Sequence, residues 1–340
     1  MNSTLISLAV FLASSCLAQQ YRIEQSNTTE SLRGLSTPTP SIAWASGTHG
    51  TYLRSMDGGI SWQSAQVPGS ETLDFRSVSA FNANLAYLLS AGPGDRSRIY
   101  KTVDAGATWK LQFTNNDPQA FFDCMAFWDR DHGIALGDPV GKHFTLLTTE
   151  NGGSTWNPVP AERVPAAIDG EGAFAASGTC ITVEGKNRVW FATGGRAARV
   201  FRSDNRGRAW QVADTPMLHG EDSSGIFSIA FRDHKRGVIA GGDYKQSSKG
   251  NLNLAFTEDG GATWKLQTLS PGSFVSAVAF SRKHGLLTVG SAQAAYAETT
   301  RQSIWTRHWD LSLNQVRFNS PSTAIAVGPK GAIVKFSEVP

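Results

Sequence analysis

Charge is scarce in this chain. Only 17% of its 340 residues are Asp, Glu, Lys or Arg, and the formal net charge at pH 7 is +3. A balance that weak and that spread out argues against nucleic acid and against an anionic membrane surface as partners. Cysteine is scarce too: there are three, and none has the spacing of a zinc ligand set. No Cys-x-x-Cys-His haem signature is present, and no Gly-x-Gly-x-x-Gly stands between a strand and a helix. The reading is therefore of a protein with no cofactor and no metal. Long apolar runs are absent as well, so no membrane span is expected. The one notable run, Leu5 to Leu17, carries no charge and leads into Cys16-Leu17-Ala18, whose small last residue suits signal peptidase. Residues 1–18 read as a secretory signal, although Lys and Arg are missing before the run. The mature chain is then secreted or periplasmic. Lipoprotein anchoring at Cys16 is the lesser alternative, because the usual Leu three residues before it is missing.

What the chain has instead is glycine, 34 residues, and tryptophan, 10 residues. That balance suits short strands joined by tight turns. One stretch is copied along the sequence. It is Thr257-Glu-Asp-Gly-Gly-Ala-Thr-Trp264, and it recurs at Ser55–Trp62, Thr102–Trp109, Thr149–Trp156 and Ser203–Trp210. The shared form is S/T-x-D/N-x-G-x-x-W. Its Asp or Asn (Asp57, Asp104, Asn151, Asn205, Asp259) accepts backbone N–H bonds that close a turn. The Gly takes a positive φ. The Trp (Trp62, Trp109, Trp156, Trp210, Trp264) opens the next strand and packs on a neighbouring surface.

Three apolar or alternating runs precede each box and a fourth begins at its Trp. Counting on to Trp305 in a decayed sixth box, Thr300–Trp305, the Trp-to-Trp spacings are 47, 47, 54, 54 and 41 residues. This is the period of four-stranded blades. A Phe followed by a polar turn and a Gly, as in Phe127–Gly133, Phe231–Gly237 and Phe280–Gly285, marks the same phase. The pattern predicts an all-β fold, a seven-bladed β-propeller of four-stranded antiparallel blades. Blades are expected near 36–66, 73–113, 121–160, 173–214, 225–268, 273–310 and 315–340. The last unit stops after three strands, and Tyr21–Glu24 is expected to supply the fourth, so that residues 21–340 form one closed domain. Cys124 and Cys180 fall at matching positions in adjacent repeats. Equivalent strands of neighbouring blades are expected to stand further apart than the 7 Å Cα limit of a disulfide, so two buried free thiols are expected.

The boxes resemble the Asp-box of bacterial neuraminidase (BNR) repeats. Residues 40–340 as a whole resemble secreted BNR-like propellers related to the photosystem II stability/assembly factor family. Phe127–Pro139 and Ala173–Thr179 are similar to bacterial relatives often labelled oxidoreductases or BNR glycosyl hydrolases. The resemblance implies the fold more strongly than any one activity, because this repeat serves both enzymes and scaffolds. It also implies an arginine patch used for partner binding, which cannot be mapped residue by residue onto Arg196, Arg199, Arg202, Arg206 and Arg208.

In such a blade the box turns lie on one face, and the connections between strands two and three and between blades lie on the other. The longest of these upper-face connections, Asn157–Gly172, Gln211–Gly225 and Asp243–Gly250, all belong to blades 3 to 5, and loops on a rigid scaffold are where binding resides. The upper-face binding candidates are Asp138, Glu171, Arg196, His219, Glu221 and Asp243. Asp138, Glu171, Arg196 and Asp243 are expected to edge a shallow central pocket. No catalytic residue is assigned. A sialidase would require an arginine triad and an Arg-Ile-Pro-like motif before the first box, and the nearest match, Arg163-Val-Pro165, follows the third. A glycosidase would require two facing carboxylates, for which Asp138, Asp169, Glu171, Glu221, Asp222 and Asp243 are available. His132, His234 and His284 share one turn of three blades and so spread around the rim. His143 and His219 with Glu221-Asp222 are less regular and could share the upper face. The chain thus reads as a non-catalytic, monomeric protein-binding or assembly scaffold acting through the loops of blades 3–5. The alternative is a carbohydrate-active hydrolase or a glycan-binding propeller. Facing carboxylates across a cleft would favour the hydrolase, and a flat or plugged upper face the scaffold.

Overall fold

The repeats close into a ring. The computed structural model describes residues 21–247, 253–267, 273–281, 285–298 and 304–337, which form seven antiparallel sheets, the blades of a β-propeller. Blade 3 is built from Phe122–Phe127, Gly133–Val140, His143–Thr149 and Asn157–Pro158. Blade 4 uses Ile181–Glu184, Arg188–Ala192, Arg199–Ser203 and Gln211–Asp214. Blade 5 uses Ser224–Phe231, Gly237–Asp243, Leu254–Thr257 and Lys265–Leu266. Second strands such as Ala86–Ala91 and Ala324–Val327 are buried along their whole length, because neighbouring blades cover both of their faces. Outer strands such as Gln63–Gln66 are mostly exposed.

The ring is sealed where the sequence placed the seal. Tyr21–Glu24 pairs antiparallel with Ile333–Phe336, from Tyr21↔Phe336 to Glu24↔Ile333, and completes the seventh blade. The innermost strand of blade 1, Leu32–Ser36, begins before residue 36, where that blade is expected to start. In blade 6, Ala294–Glu298 and Ile304–Trp309 still pair although the box between them has decayed; the turn itself lies outside the described residues.

Each box is a small hydrogen-bonded unit. In the fifth, Asp259 Oδ1 accepts the Ala262 and Thr263 N–H groups, both at 3.0 Å, and the Thr257 hydroxyl at 2.7 Å. The Gly261 N–H donates to Thr257 Oγ1 at 2.9 Å, with Gly260 and Gly261 both at positive φ. The box Trp then packs against the preceding blade: Trp264 clusters with Trp190, and Trp109 meets Tyr52 edge-on at 5.1 Å. This repeated contact, roughly 25 cal/mol per Å² of apolar surface removed from water, holds blade to blade.

One expectation is overturned. Cys124 and Cys180 are not free thiols but a disulfide, with Cα atoms 6.3 Å apart. The 7 Å argument applies to strands out along the blades. Innermost strands converge on the axis, close enough for the Val278 N–H to reach Ser228 Oγ of the neighbouring blade at 3.1 Å. Cys124 lies in the innermost strand of blade 3 and Cys180 immediately precedes that of blade 4.

Candidate functional site

The upper face is organised around a segment that the repeat pattern does not require. Residues Ala173–Thr179 carry the chain from blade 3 to blade 4, and they do so through the central channel. The Ala173 N–H donates to Asp138 Oδ1 at 2.8 Å. Phe174 stacks on Phe227 of blade 5, centroids 3.8 Å apart. The Ala175 and Ala176 carbonyls accept Nη1–H bonds from Arg76 and Arg33, each at 3.2 Å, from blades 2 and 1. Ser177 Oγ donates to the Ser276 carbonyl at 3.0 Å, next to blade 6, and Thr179 Oγ1 to Ser228 Oγ at 2.8 Å. Ser177, Thr179 and Cys180 are buried. The segment touches blades 1, 2, 3 and 5 and the entry to blade 6, and plugs the channel.

What holds the plug is a device of the innermost strands. Those of blades 1, 2, 3 and 5 each carry a break in register, at Leu32/Gly34, Phe75/Ser77, Phe122/Cys124 and Ile226/Ser228. The extra residues are Arg33, Arg76, Asp123 and Phe227. A bulge re-aims one side chain out of the alternation, and all four meet the same plug segment. Asp123 is 1% exposed. Burial and the nearby Asp138 push its carboxyl well above the usual range, against the pull of Arg76 and of the Ala175 N–H. Burial likewise raises Asp138 to about 6, against the Ala173 N–H that favours its charged form. Sequence reading missed Arg33, Arg76 and Asp123, whose one signal is a charged residue breaking an otherwise apolar or small innermost strand.

The sequence-derived candidates fare differently from one another. Glu171, expected at the pocket edge, has no exposed side-chain surface and is held by Arg199 through both of its carboxylate oxygens. It also accepts the Thr193 hydroxyl at 2.6 Å and the Ile168 N–H at 2.8 Å. A carboxylate so fully engaged is a brace, not a ligand group. Asp243 is 4% exposed. Burial pushes its carboxyl up, but bonds from Ser223, the Lys245 and Gln246 N–H groups and the Gln246 side chain outweigh this and hold it below the usual range. Asp138 sits against the plug. Arg196, His219 and Glu221 are exposed, with His219 Nδ1 2.9 Å from the Met217 carbonyl oxygen. The expected shallow pocket edged by Asp138, Glu171, Arg196 and Asp243 is therefore not formed as such, because plug and brace fill its centre. Beside it stands an aromatic group, in which Phe227 meets Phe274 at 4.7 Å and Tyr244 at 6.1 Å edge-on. Tyr244 remains 50% exposed, and Ile168 47%.

Of the three upper-face connections, Asn157–Gly172 begins in the outer strand Asn157–Pro158 and ends in Glu171–Gly172, which pairs with Gly194–Gly195. Gln211–Gly225 likewise begins in Gln211–Asp214. The end of Asp243–Gly250 lies outside the described residues, as does His284. His132 stands on the rim with Nδ1 2.8 Å from Asp129 Oδ1, and His143 and His234 are exposed. Among the described residues no three His, Cys, Asp or Glu side chains gather as a metal site. The blade 4 arginines are split: Arg199 braces Glu171, Arg202 bonds Gln211, and Arg206 and Arg208 lie at the fourth box beside a cavity of about 110 Å³ that Arg163 also lines.

No family model matches the chain. Over 294 residues, covering 73% of this chain and 79% of the relative, it is 26% identical to photosystem II assembly protein Ycf48 of Synechococcus sp. (strain JA-2-3B'a(2-13)). Among solved structures, a YCF48 bound to D1 peptide superposes with a TM-score of 0.67 at 13% identity, covering 94% of this chain and 97% of that one. YCF48 from Cyanidioschyzon merolae gives 0.65 at 16% identity, covering 94% and 99%. The U3-55K structure gives 0.67 at 12%, also over 94% of this chain, so the structural likeness speaks for the propeller fold alone. In sequence and in fold together, this chain is a seven-bladed β-propeller that resembles the photosystem II assembly-factor family.

Proposed function

We propose that the chain is a non-catalytic scaffold that binds a protein partner during assembly, through the upper face of blades 3–5. The observation that carries this is the plugged channel. Small-molecule substrates are taken into concave pockets, whereas here the would-be pocket is filled by Ala173–Thr179, and Glu171, paired with Arg199, is turned inward. The buried Asp123 and the half-buried Asp138 lie against the plug and not across a cleft. What the face exposes outward includes Tyr244, Ile168, Arg196 and Glu221, all on the connections of blades 3–5. Half-exposed aromatics and arginine are the residue types that anchor protein interfaces. The relative solved with a D1 peptide supports a peptide segment as the partner's contribution. We also place the mature chain in an oxidising, exported compartment, a reading supported by the Cys124–Cys180 disulfide and by the charge-free run before Ala18.

The test is a pull-down of residues 19–340 from the source envelope, with mass spectrometry of what elutes. A specific protein retained by the parent chain, lost with Arg196→Ala/Tyr244→Ala and kept with the lower-face Asp259→Ala, is the expected result. Recovery of oligosaccharide alone, or of shortened oligosaccharide, would overturn the reading in favour of a carbohydrate-active propeller.

A further inference from the structure

The disulfide and the plug are neighbours at both ends of the bond. Cys180 directly follows the plug's last residue, Thr179, and Cys124 directly follows Asp123, whose carboxyl feels the pull of the Ala175 N–H. Both cysteines are fully buried. Apart from this bond, the plug is held by hydrogen bonds, one aromatic stack and the packing of Ala173 into the apolar core, and two of the hydrogen bonds come from the long side chains of Arg33 and Arg76. The blades have more to hold them: each has its own ladder, and in the apolar cluster of blades 3 and 4 the two cysteines and Ala173 are joined by Ile134, Phe144, Phe191 and Phe201.

We propose that the Cys124–Cys180 disulfide is the lock of the channel plug, so that the upper face takes its closed form only in the oxidised chain. In the reduced chain Ala173–Thr179 is held by reversible contacts alone, and its departure uncovers Arg33, Arg76, Asp123 and Asp138 at the channel mouth. Closure is a two-electron oxidation: two thiols lose two protons and two electrons, one S–S bond forms, and a disulfide-bearing oxidant is reduced to its dithiol. The bond closes a loop spanning a sequence separation of 56 residues, and such a cross-link removes many open arrangements of the chain. The inference concerns the plug alone and holds whatever partner the face binds.

Hydrogen exchange of the full chain, oxidised and after refolding in dithiothreitol, tests it. The amides of 173–179 are expected to exchange at least about tenfold faster in the reduced chain, while those of Ala324–Val327, across the ring, keep their rates. Unchanged plug amides, or an equal acceleration in every blade, would overturn the lock. Coupling must also run in reverse, which supplies a test that needs no reduced fold. Gly178 has φ +65°, and a Cβ there would lie 2.7 Å from the Arg76 carbonyl oxygen. Gly178→Ala therefore dislodges the plug in the oxidised chain. It is expected to speed reduction of the disulfide by dithiothreitol under native conditions by about tenfold or more; an unchanged reduction rate would overturn the proposal.

Discussion

Asp138→Asn isolates the electrostatic cost of closing the channel. The wild-type carboxyl accepts the Ala173 N–H at 2.8 Å, and burial raises it from 3.8 to about 6. The folded chain therefore binds this proton more tightly than the unfolded chain does. The stability contributed is fully present below about pH 4 and is lost as the pH rises through about 6. A displacement of about 2 pH units corresponds to about 3 kcal/mol, an upper bound because the residue keeps some contact with water. Asparagine keeps the accepting Oδ1 and nearly the same volume but carries no charge. The variant is expected to match the wild type near pH 4 and to exceed it by about 1–3 kcal/mol at pH 7.5. Urea unfolding followed by tryptophan fluorescence at five pH values between 4 and 8 measures the difference. Carboxylates away from the channel titrate in both proteins and cancel, whereas Asp123, which the charged Asp138 pushes up, loses that repulsion in the variant, an effect of the same sign. A difference that stays constant across the range would refute the assignment of the raised carboxyl to Asp138, and one that grows toward low pH would reverse its sign.

Three further outcomes follow from the same structure. Glu171→Ala strands the buried Arg199 guanidinium and is expected to lower stability by about 3–5 kcal/mol, read as a shift in urea midpoint; a loss under 1 kcal/mol would contradict the brace. Ala105 stands at φ +65° where boxes one, three and five have Gly58, Gly152 and Gly260, so Ala105→Gly should raise stability by about 0.5–1 kcal/mol, measured in the same titration. Asp259 is held at about 2 by its bonds to the Thr263 hydroxyl and N–H and to Thr257, although burial opposes them. Its contribution is present above about pH 4 and lost as the pH falls through about 2. Asp259→Asn should therefore lower the melting temperature at pH 5 and by less at pH 2.5, whereas an equal loss at both would mean that its charge plays no part.

The fold was legible because its unit is local. The turn from Thr257 to Trp264 closes on its own atoms, with Asp259 accepting from residues three and four positions on, so each copy can be read without knowing its neighbours. The seal by Tyr21–Glu24 was legible for a related reason: the last blade lacked one strand, and an unpaired edge has to be covered. The site was not legible, because it consists of departures from the repeat. Arg33, Arg76 and Asp123 show in the sequence only as charges in otherwise apolar or small strands, and nothing there marks the bulge that turns them inward. Glu171 and Asp243 look like solvated loop acids, yet Arg199 in one case and backbone and side-chain donors in the other draw them inside. Cys124 and Cys180 were legible as equivalent positions but not as a pair, since the 6.3 Å between their Cα atoms depends on distance from the axis and not on position in the repeat. The same reasoning says where function should be sought in this architecture. Residues that satisfy the repeat hold the ring together, as Trp62 and Trp264 do, and substituting them will cost stability before it costs binding. Residues that break the repeat either hold the plug, as Phe174 does against Phe227, or stand outward, as half-exposed Tyr244 does. The outward ones can be substituted with the least cost to the ring, so binding should be sought there first.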